Sequence, residues 1–205
     1  MADDALFDPF GLRCVVAVPI RSFEFGKARL ASALTDDTRR ALVRSMAERV
    51  VSAAGRLTVV VVTSDAEVAA WARSLMAFVL DDPGSLDDAA SVARRWALER
   101  GAERVVVAHG DLPFADDLEH LAAPGSARIA LIVPDRIEDG TPVLSIPTDG
   151  PFTFRYGVGS FAAHCDEARR SGLDVDIVRN PTLRFDVDEQ ADLAALGFPS
   201  QEHTQ

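Results

Sequence analysis

The sequence has only two cysteines among its 205 residues, Cys14 and Cys165, and they lie far apart in the chain. A disulfide framework would use more cysteines, so we expect both to be reduced, buried thiols of a cytoplasmic protein. Histidines are also few, and their scattered positions give no zinc-ligand pattern. We expect one of them, His164, to decorate a helix.

Long apolar runs and positive charge are scarce as well. No apolar run approaches the roughly 18–20 residues of a membrane-spanning helix, and the first five residues lack the basic and apolar regions of a signal peptide. Lys and Arg number 21 against 32 Asp and Glu, a formal net charge of −11. This deficit argues against general nucleic-acid binding and docking on anionic lipid. A local basic pocket can still hold a phosphorylated small substrate.

The remaining composition is that of a globular α/β protein. A hydrophobic content of 48 % and the length predict one domain over 1–205, with its core at about 13–197 and flexible ends at 1–11 and 198–205. Strands are expected at the β-rich runs 14–18, 57–63, 77–80, 104–108, 129–133, 142–146, 152–156, 176–178 and 183–186. Helices are expected after Thr35 and Ser85, over 66–75 and 161–170, and after Asp188. This alternation predicts three layers around a mainly parallel sheet, with ligands beyond the carboxyl ends of its strands.

A loop with three cations follows the first expected strand. Arg21, Lys27 and Arg29 fall within nine residues there. Such a loop can fold around a polyphosphate, because arginine offers forked donors and lysine a compact charge. The alternative is a solvated surface loop, which is the commoner meaning of this spacing alone.

Three aspartates lie at or near other strand ends. Asp111 follows the run 104–108 beside Gly110, a place that suits a divalent cation carrying phosphates. Asp186 and Asp188, two residues apart, face one side of an extended strand and can complete a metal site with Asp111. The alternatives are a turn or helix-cap role for Asp111 and an N-cap role for Asp188.

A glycine-rich segment precedes the helix expected at 161–170. Backbone N–H groups of Gly157 to Ser160 and the Ser160 hydroxyl can hold a phosphate or carboxylate. The alternative is plain turn chemistry with Ser160 as the N-cap. The segment lacks a third glycine and lies late in the chain, which argues against a Rossmann dinucleotide site.

Together these motifs resemble the 2-phospho-L-lactate or phosphoenolpyruvate guanylyltransferases of deazaflavin coenzyme F-420 biosynthesis. The resemblance runs from about Val15 to Leu196 and rests on an ordered set of segments: Lys27 to Leu30, Gly110 to Pro113, Asp139 to Thr141, Tyr156 to Phe161 with His164, and Phe185 to Asp188 with Asp192 and Leu193. It implies a single-domain nucleotidyltransferase fold, GT-A-like and Rossmann-like, with a mainly parallel mixed sheet. It also implies transfer of GMP from GTP to the phosphate of a small phosphorylated acid, assisted by Mg²⁺, with pyrophosphate leaving.

The resemblance further implies a role for each matching residue. The triphosphate would be held by Arg21, Lys27 and Arg29. Catalysis would depend on Lys27, Arg29 and Asp111. The guanine would lie near Gly84 and Asp87. The acceptor acid would be bound by Thr141, Gly157 and Ser160. Magnesium would be held by Asp111 with Asp186 or Asp188.

The sequence departs from the family pattern at Asp87 and at Pro142, where the family often has asparagine. Two alternatives therefore stay open: a nucleotidyltransferase for another base or acceptor, such as a sugar phosphate or a molybdopterin-type cofactor, and a non-catalytic nucleotide-binding relative. Phosphoenolpyruvate, 2-phospho-L-lactate and 3-phosphoglycerate differ only by small groups, so the sequence does not choose among them. It leaves a homodimer open too.

Overall fold

The computed structural model describes residues 13–122 and 128–198. The ends that the sequence predicts to be flexible, 1–11 and 198–205, lie outside these ranges apart from residue 198. Among the described residues, no helix combines the length and apolar character needed to cross a bilayer.

A seven-stranded sheet forms the middle layer, in the order β3-β2-β1-β4-β6-β5-β7. The strands are β1 Cys14–Pro19, β2 Thr58–Val62, β3 Phe78–Leu80, β4 Arg104–Ala108, β5 Ile129–Val133, β6 Val143–Pro147 and β7 Asp174–Ile177. Only β6 runs antiparallel to its neighbours within the described sheet. The predicted mainly parallel, mixed sheet is therefore confirmed.

Helices cover both faces of the sheet. They are α1 Asp36–Ala53, α2 Ala66–Ser74, α3 Leu86–Glu99 and α4 Ser160–Arg170, with short 3₁₀ segments at Ala28–Ser32, Glu119–Ala122 and Gln190–Leu196. The predicted caps of α1 and α3 are confirmed. The Thr35 hydroxyl accepts from the N–H of Thr38 at 3.3 Å, and the Ser85 hydroxyl accepts from that of Asp88 at 3.1 Å, which satisfies N–H groups that a helix start leaves unpaired.

The core is divided in two by the sheet, because successive strand side chains point to opposite faces. Val16 and Val18 pack towards α1 and α2, whereas Val15 and Ala17 pack towards α3 and α4. All four side chains are fully buried, as expected for a strand covered on both faces. Both cysteines are buried and free, as predicted from their small number.

Two expected strands are wrong. The segments 152–156 and 183–186 have no strand structure, although their apolar and polar residues alternate. In 152–156 the backbone donors bond to side chains instead of to a neighbouring strand: Thr153 N–H to Glu167, Arg155 N–H to His164 and Tyr156 N–H to Asp87. The alternation of apolar and polar residues shows which side chains are buried. To form a strand, the segment also needs the free edge of a neighbouring strand to bond to.

The last helix also differs from the expectation. It is the 3₁₀ segment Gln190–Leu196, and its N-cap is Glu189 in a capping box with Asp192 rather than Asp188. The Asp192 carboxylate accepts from the backbone N–H groups of Asp188 and Glu189, both at 2.9 Å. The side chain of Asp188 is therefore free of the capping role and lies elsewhere, against Lys27.

Candidate active site

A cavity of about 680 Å³ opens at the carboxyl edge of the parallel strands. It lies beside the ends of β1 and β4, where the strand order reverses direction, which is where open α/β sheets bind ligands. Its wall combines the loop after β1, the start of α3 and the loop after β4. The charged or polar lining side chains include Arg21, Lys27, Arg29, Ser85, Asp111 and Asp188.

Gly110 allows the loop after β4 to approach β1 closely. A Cβ atom at this position would lie 3.1 Å from Cγ1 of Ile20, tighter than ordinary packing. The absence of a side chain thus lets the backbone around Asp111 lie directly against the end of β1.

Lys27 links two of the predicted metal ligands. Its ammonium donates to a carboxylate oxygen of Asp111 and, at 2.7 Å, to Oδ1 of Asp188. The side chain of Lys27 is 12 % exposed and that of Asp111 25 %. Lys27 adopts the left-handed backbone conformation, with φ of 54°, which is uncommon for a residue with a side chain. The backbone of Lys27 is thus strained at the residue whose ammonium contacts both carboxylates, and such strain is often found at functional sites.

The ion pair between Lys27 and Asp111 remains charged despite its burial. Burial by itself lowers the pKa of Lys27, but the charges and hydrogen bonds of Asp111 and Asp188 outweigh it and raise that pKa. Burial by itself raises the pKa of Asp111, but the Lys27 charge, together with smaller contributions that include the hydrogen bond from Lys27, outweighs it, so the pKa falls. The site therefore presents a fixed ammonium between two carboxylates at neutral pH.

Asp186 lies near the same cluster in a different protonation environment. Burial foremost, and then the charges of Asp188 and Asp111, raise the pKa of Asp186 to about 6. The charges of Asp188 and Asp111 both act on Asp186, and its part in a metal site with them stays a prediction.

The aspartates have the ligand chemistry that Mg²⁺ prefers. Carboxylate oxygens are suitable ligands, and Oδ1 of Asp111 is buried without a hydrogen-bond partner in the described part of the chain. No group of three or more His, Cys, Asp or Glu among the described residues has metal-binding geometry, and the Lys27 ammonium contacts both Asp111 and Asp188. The residues thus fit a cation shared with substrate phosphates, which is how Mg²⁺ is commonly held, and the magnesium site stays a prediction.

The three predicted phosphate-binding cations do lie on one cavity wall. Arg21 donates through Nη2 to the carbonyl of Gly84 at 2.5 Å, so the loop after β1 is tied to the loop before α3. Arg29 is exposed on the same wall. The triphosphate role of these cations remains a prediction, now with a common surface for it.

Asp87 is brought to a place that the sequence did not indicate. Ser85 and Leu86 line the cavity, but Asp87 is not among its lining residues. Its Oδ1 accepts instead from the backbone N–H of Tyr156 at 2.7 Å. The residue predicted near guanine thus contacts the segment predicted to bind the acceptor.

The predicted acceptor residues form a cluster away from the described cavity wall. Thr141 and Ser160 are 1 % and 2 % exposed, and the Ser160 hydroxyl donates to Oγ1 of Thr141 at 3.4 Å. Gly157 is exposed, with φ of 116°. Ser160 thus contacts both Thr141 and Gly157, and the contact of the three residues with an acceptor stays a prediction.

His164 lies on the helix α4, as expected, but its side chain points into the interior. The side chain is fully buried, its Nε2 accepts from the N–H of Arg155 at 3.0 Å, and its Nδ1 lies 3.0 Å from Oγ1 of Thr141. With Nε2 accepting, Nδ1 carries the proton and donates. Burial foremost, and then the charge of His109, lowers the pKa of His164 to about 4. Its spacing from Ser160 and Ala168, both buried on the same helix, is the sequence signal that could have placed it inside.

The protonation of His164 makes a prediction about acid stability. The unfolded chain protonates this histidine near pH 6.5, whereas the folded chain does so only near pH 4. The unfolded state therefore binds more protons in that window, and His164 should lower the free energy of unfolding by about 2 kcal/mol between about pH 7.5 and pH 5. Urea unfolding of the wild type and of His164→Gln at both pH values measures this. The glutamine keeps an acceptor for Arg155 but does not titrate, so an equal pH dependence in both proteins would contradict the assignment.

His109 and Tyr156 are site-adjacent residues that sequence reasoning missed. His109 lines the cavity, and its ring lies 5.5 Å from that of Tyr156, between centroids. In the described part of the chain, Nε2 of His109 and the hydroxyl of Tyr156 are both buried without a hydrogen-bond partner. Tyr156 is the single tyrosine of the sequence. That fact alone does not indicate a place at the site, because only the structure shows its contact with His109.

The fold and the site define a class of enzyme. A cavity at the reversal point of an open α/β sheet, with cations and aspartates on one wall, is suited to transferring phosphoryl or nucleotidyl groups. A solved candidate nucleotide-diphospho-sugar transferase from Desulfovibrio desulfuricans is similar in fold, with a TM-score of 0.72 and 18 % identity over 94 % of this chain and 89 % of its own.

Sequence comparison identifies the family. The family described as "Guanylyl transferase CofC like" matches residues 14–203. A phosphoenolpyruvate guanylyltransferase of Sphaerobacter thermophilus is 34 % identical, over 89 % of this chain and 91 % of its own. One of Conexibacter woesei is 38 % identical, over 87 % and 85 %. The chain belongs to the CofC-like guanylyl transferases and is an enzyme of guanylyl transfer, which confirms the predicted family.

Proposed function

We propose that the chain transfers GMP from GTP to the phosphate of phosphoenolpyruvate and releases pyrophosphate. The observation that carries the proposal is the charged wall of the cavity, where Lys27 joins Asp111 to Asp188 beside Arg21 and Arg29. The names of the relatives support guanylyl transfer and this acceptor. The other acceptor that the resemblance implies is 2-phospho-L-lactate, and either product would serve the biosynthesis of coenzyme F-420.

The acceptor needs no strong base in this reaction. It is already a phosphate anion, and one of its oxygens forms a bond to the α-phosphorus of GTP while the bond to the bridging β-phosphate oxygen breaks. The main barriers are the repulsion between two anions and their alignment. Arg21, Arg29 and Lys27 supply positive charge on the wall where the triphosphate would lie.

Asp111, with Asp188 or Asp186, would hold Mg²⁺ in the presence of the nucleotide. When bound, the metal would neutralise phosphate charge that the three cations leave uncompensated. Because Lys27 already contacts Asp111 and Asp188, its ammonium keeps these carboxylates close together. The chain's own residues thus hold the reacting groups in place and offset their charge, and no covalent enzyme intermediate is required.

Product analysis tests the proposal. The full chain is incubated with Mg²⁺, GTP and, separately, phosphoenolpyruvate, 2-phospho-L-lactate or 3-phosphoglycerate, and the products are identified by mass. We expect a GMP adduct of phosphoenolpyruvate together with pyrophosphate. ATP, CTP and UTP, and a sugar phosphate as acceptor, form the comparison set. Adducts formed only with another nucleotide or with the sugar phosphate would overturn the proposal.

A further inference from the structure

We propose that Asp87 is a positioning residue for the acceptor, which it serves by fixing the segment Tyr156–Ser160 against the first turn of α3. The inference rests on the proposed function for the identity of that segment. It does not make Asp87 a reader of the guanine base. The contact that carries it is the 2.7 Å hydrogen bond from the backbone N–H of Tyr156 to Oδ1 of Asp87.

Side-chain carboxylates help to fix the shape of the segment, beside a backbone bond from the N–H of Ser160 to the carbonyl of Gly157 at 3.0 Å. Its residues have no strand structure before α4 begins at Ser160, and Gly157 and Gly159 have φ of 116° and 72°, so the local backbone is not set by a regular ladder. A carboxylate anchors it near each end: Asp87 accepts from Tyr156, and Oδ2 of Asp139 accepts from the N–H of Gly159 at 3.1 Å. Hydrogen bonds to charged acceptors are stronger than neutral ones.

Tyr156 extends the influence of Asp87 to the acceptor cluster. Its ring meets the ring of His164 edge-on, with 4.7 Å between centroids, and His164 contacts Oγ1 of Thr141. Burial foremost, and then the Asp87 charge, raises the pKa of Tyr156, so its hydroxyl stays protonated. A shift of the Tyr156 backbone would therefore disturb the packing over His164 and Thr141.

The location of Asp87 explains why one residue can align two substrates. Ser85 and Leu86 line the cavity, while Asp87, the next residue of the same chain turn, holds the acceptor segment. The first turn of α3 therefore contacts both the cavity and the acceptor segment. Transfer between two bound anions depends strongly on such alignment, and a small misplacement can cost about 10²-fold in rate.

Two kinetic constants separate positioning from base reading. Asp87→Ala should raise the KM of the acceptor and lower kcat, so that kcat/KM for the acceptor falls by roughly tenfold or more, while the KM of GTP and the preference for GTP over ATP stay within about twofold. Asp87→Asn retains an oxygen that can accept from Tyr156 and should recover most of the loss. Asp87→Glu keeps the charge on a longer side chain, displaces the segment, and should behave like the alanine variant.

Asp88→Ala is the matched control. It removes an exposed carboxylate from the same first turn of α3, but that carboxylate contacts Ser85 rather than the acceptor segment. Both KM values should stay within about twofold of the wild type. A weaker affinity for GTP or a changed base preference in Asp87→Ala, or an unchanged acceptor KM, would overturn the inference.

A substrate-free measurement keeps the inference separate from the proposed function. In hydrogen–deuterium exchange, residues 155–160 of Asp87→Ala should exchange faster than in the wild type, whereas those of Asp87→Asn should remain close to it. Unchanged exchange of this segment in the alanine variant would reject the positioning contact even if the wild type were active. Conversely, a wild type without guanylyl transfer would reject the proposed function and leave the exchange result to decide the contact.

Discussion

Asp111→Asn should abolish turnover, lowering kcat/KM by about 10³-fold or more. Asn preserves the shape of the side chain but removes the charge that meets Lys27 and that is predicted to bind Mg²⁺. Oδ1 of Asp111 is buried and without a partner in the described residues, which makes this carboxylate the best-placed ligand of the cluster. Pyrophosphate release measures turnover, and calorimetric titration with Mn²⁺ in the presence of GTP measures the metal affinity, which should fall in parallel.

Asp116→Asn provides the comparison for Asp111→Asn. Asp116 follows the same strand but is exposed and accepts from the Thr182 hydroxyl at 2.6 Å, away from the residues that line the cavity. Its turnover should stay within about twofold of the wild type, because exposed charges of this kind contribute little. Undiminished pyrophosphate release by Asp111→Asn would disprove the metal assignment.

Lys27→Met should also lower turnover, by about 10²-fold or more, but with the opposite effect on metal binding. Its ammonium lies between Asp111 and Asp188, where it competes with a divalent cation for both carboxylates. Removing the ammonium relieves both its repulsion of the incoming cation and its pairing with the carboxylates. The GTP-free protein should therefore bind Mn²⁺ several-fold more tightly, as titration would show.

Arg29→Met is the matched variant for Lys27→Met. Arg29 is an exposed cation of the same cavity wall. Its loss should weaken GTP binding but leave the Mn²⁺ affinity of the GTP-free protein near that of the wild type. The change leaves Asp111 without its buried partner and can destabilise the fold. Circular dichroism is therefore needed to check that Lys27→Met is folded. Weaker Mn²⁺ binding by folded Lys27→Met would contradict the competition between ammonium and metal.

The elements with strong local signals could be predicted from the sequence. The apolar runs at β1 and β4 gave correct strands because both faces of these strands are buried, and Thr35 and Ser85 cap helices as their residue types indicate. The sequence also predicted that Asp111 and the cations lie at one edge of the sheet, because the carboxyl ends of the parallel strands β1 and β4 meet there. These parts depend on periodicity and topology, which a sequence records directly.

The parts that could not be predicted depend on contacts between distant residues. The alternation in 152–156 resembles that of a strand, but its N–H groups are satisfied by Asp87, His164 and Glu167. The bridge from Lys27 to Asp188 joins nearly opposite ends of the described chain. In both cases the sequence shows which groups need partners, while the tertiary fold decides which partners they receive.

The central position of β1 has a consequence for the biosynthesis of the enzyme. β1 pairs with β2, which follows it closely, but also with β4, where Val15 lies opposite Val105. During translation the first three strands and their helices can assemble before β4 leaves the ribosome, and such long-range pairing is slow. Lys27 is then made long before Asp111 and Asp188 are available to neutralise it. We therefore expect the nascent chain to expose an unpaired basic loop, whose Lys27 meets both of its carboxylates only when almost all of the protein has been synthesised.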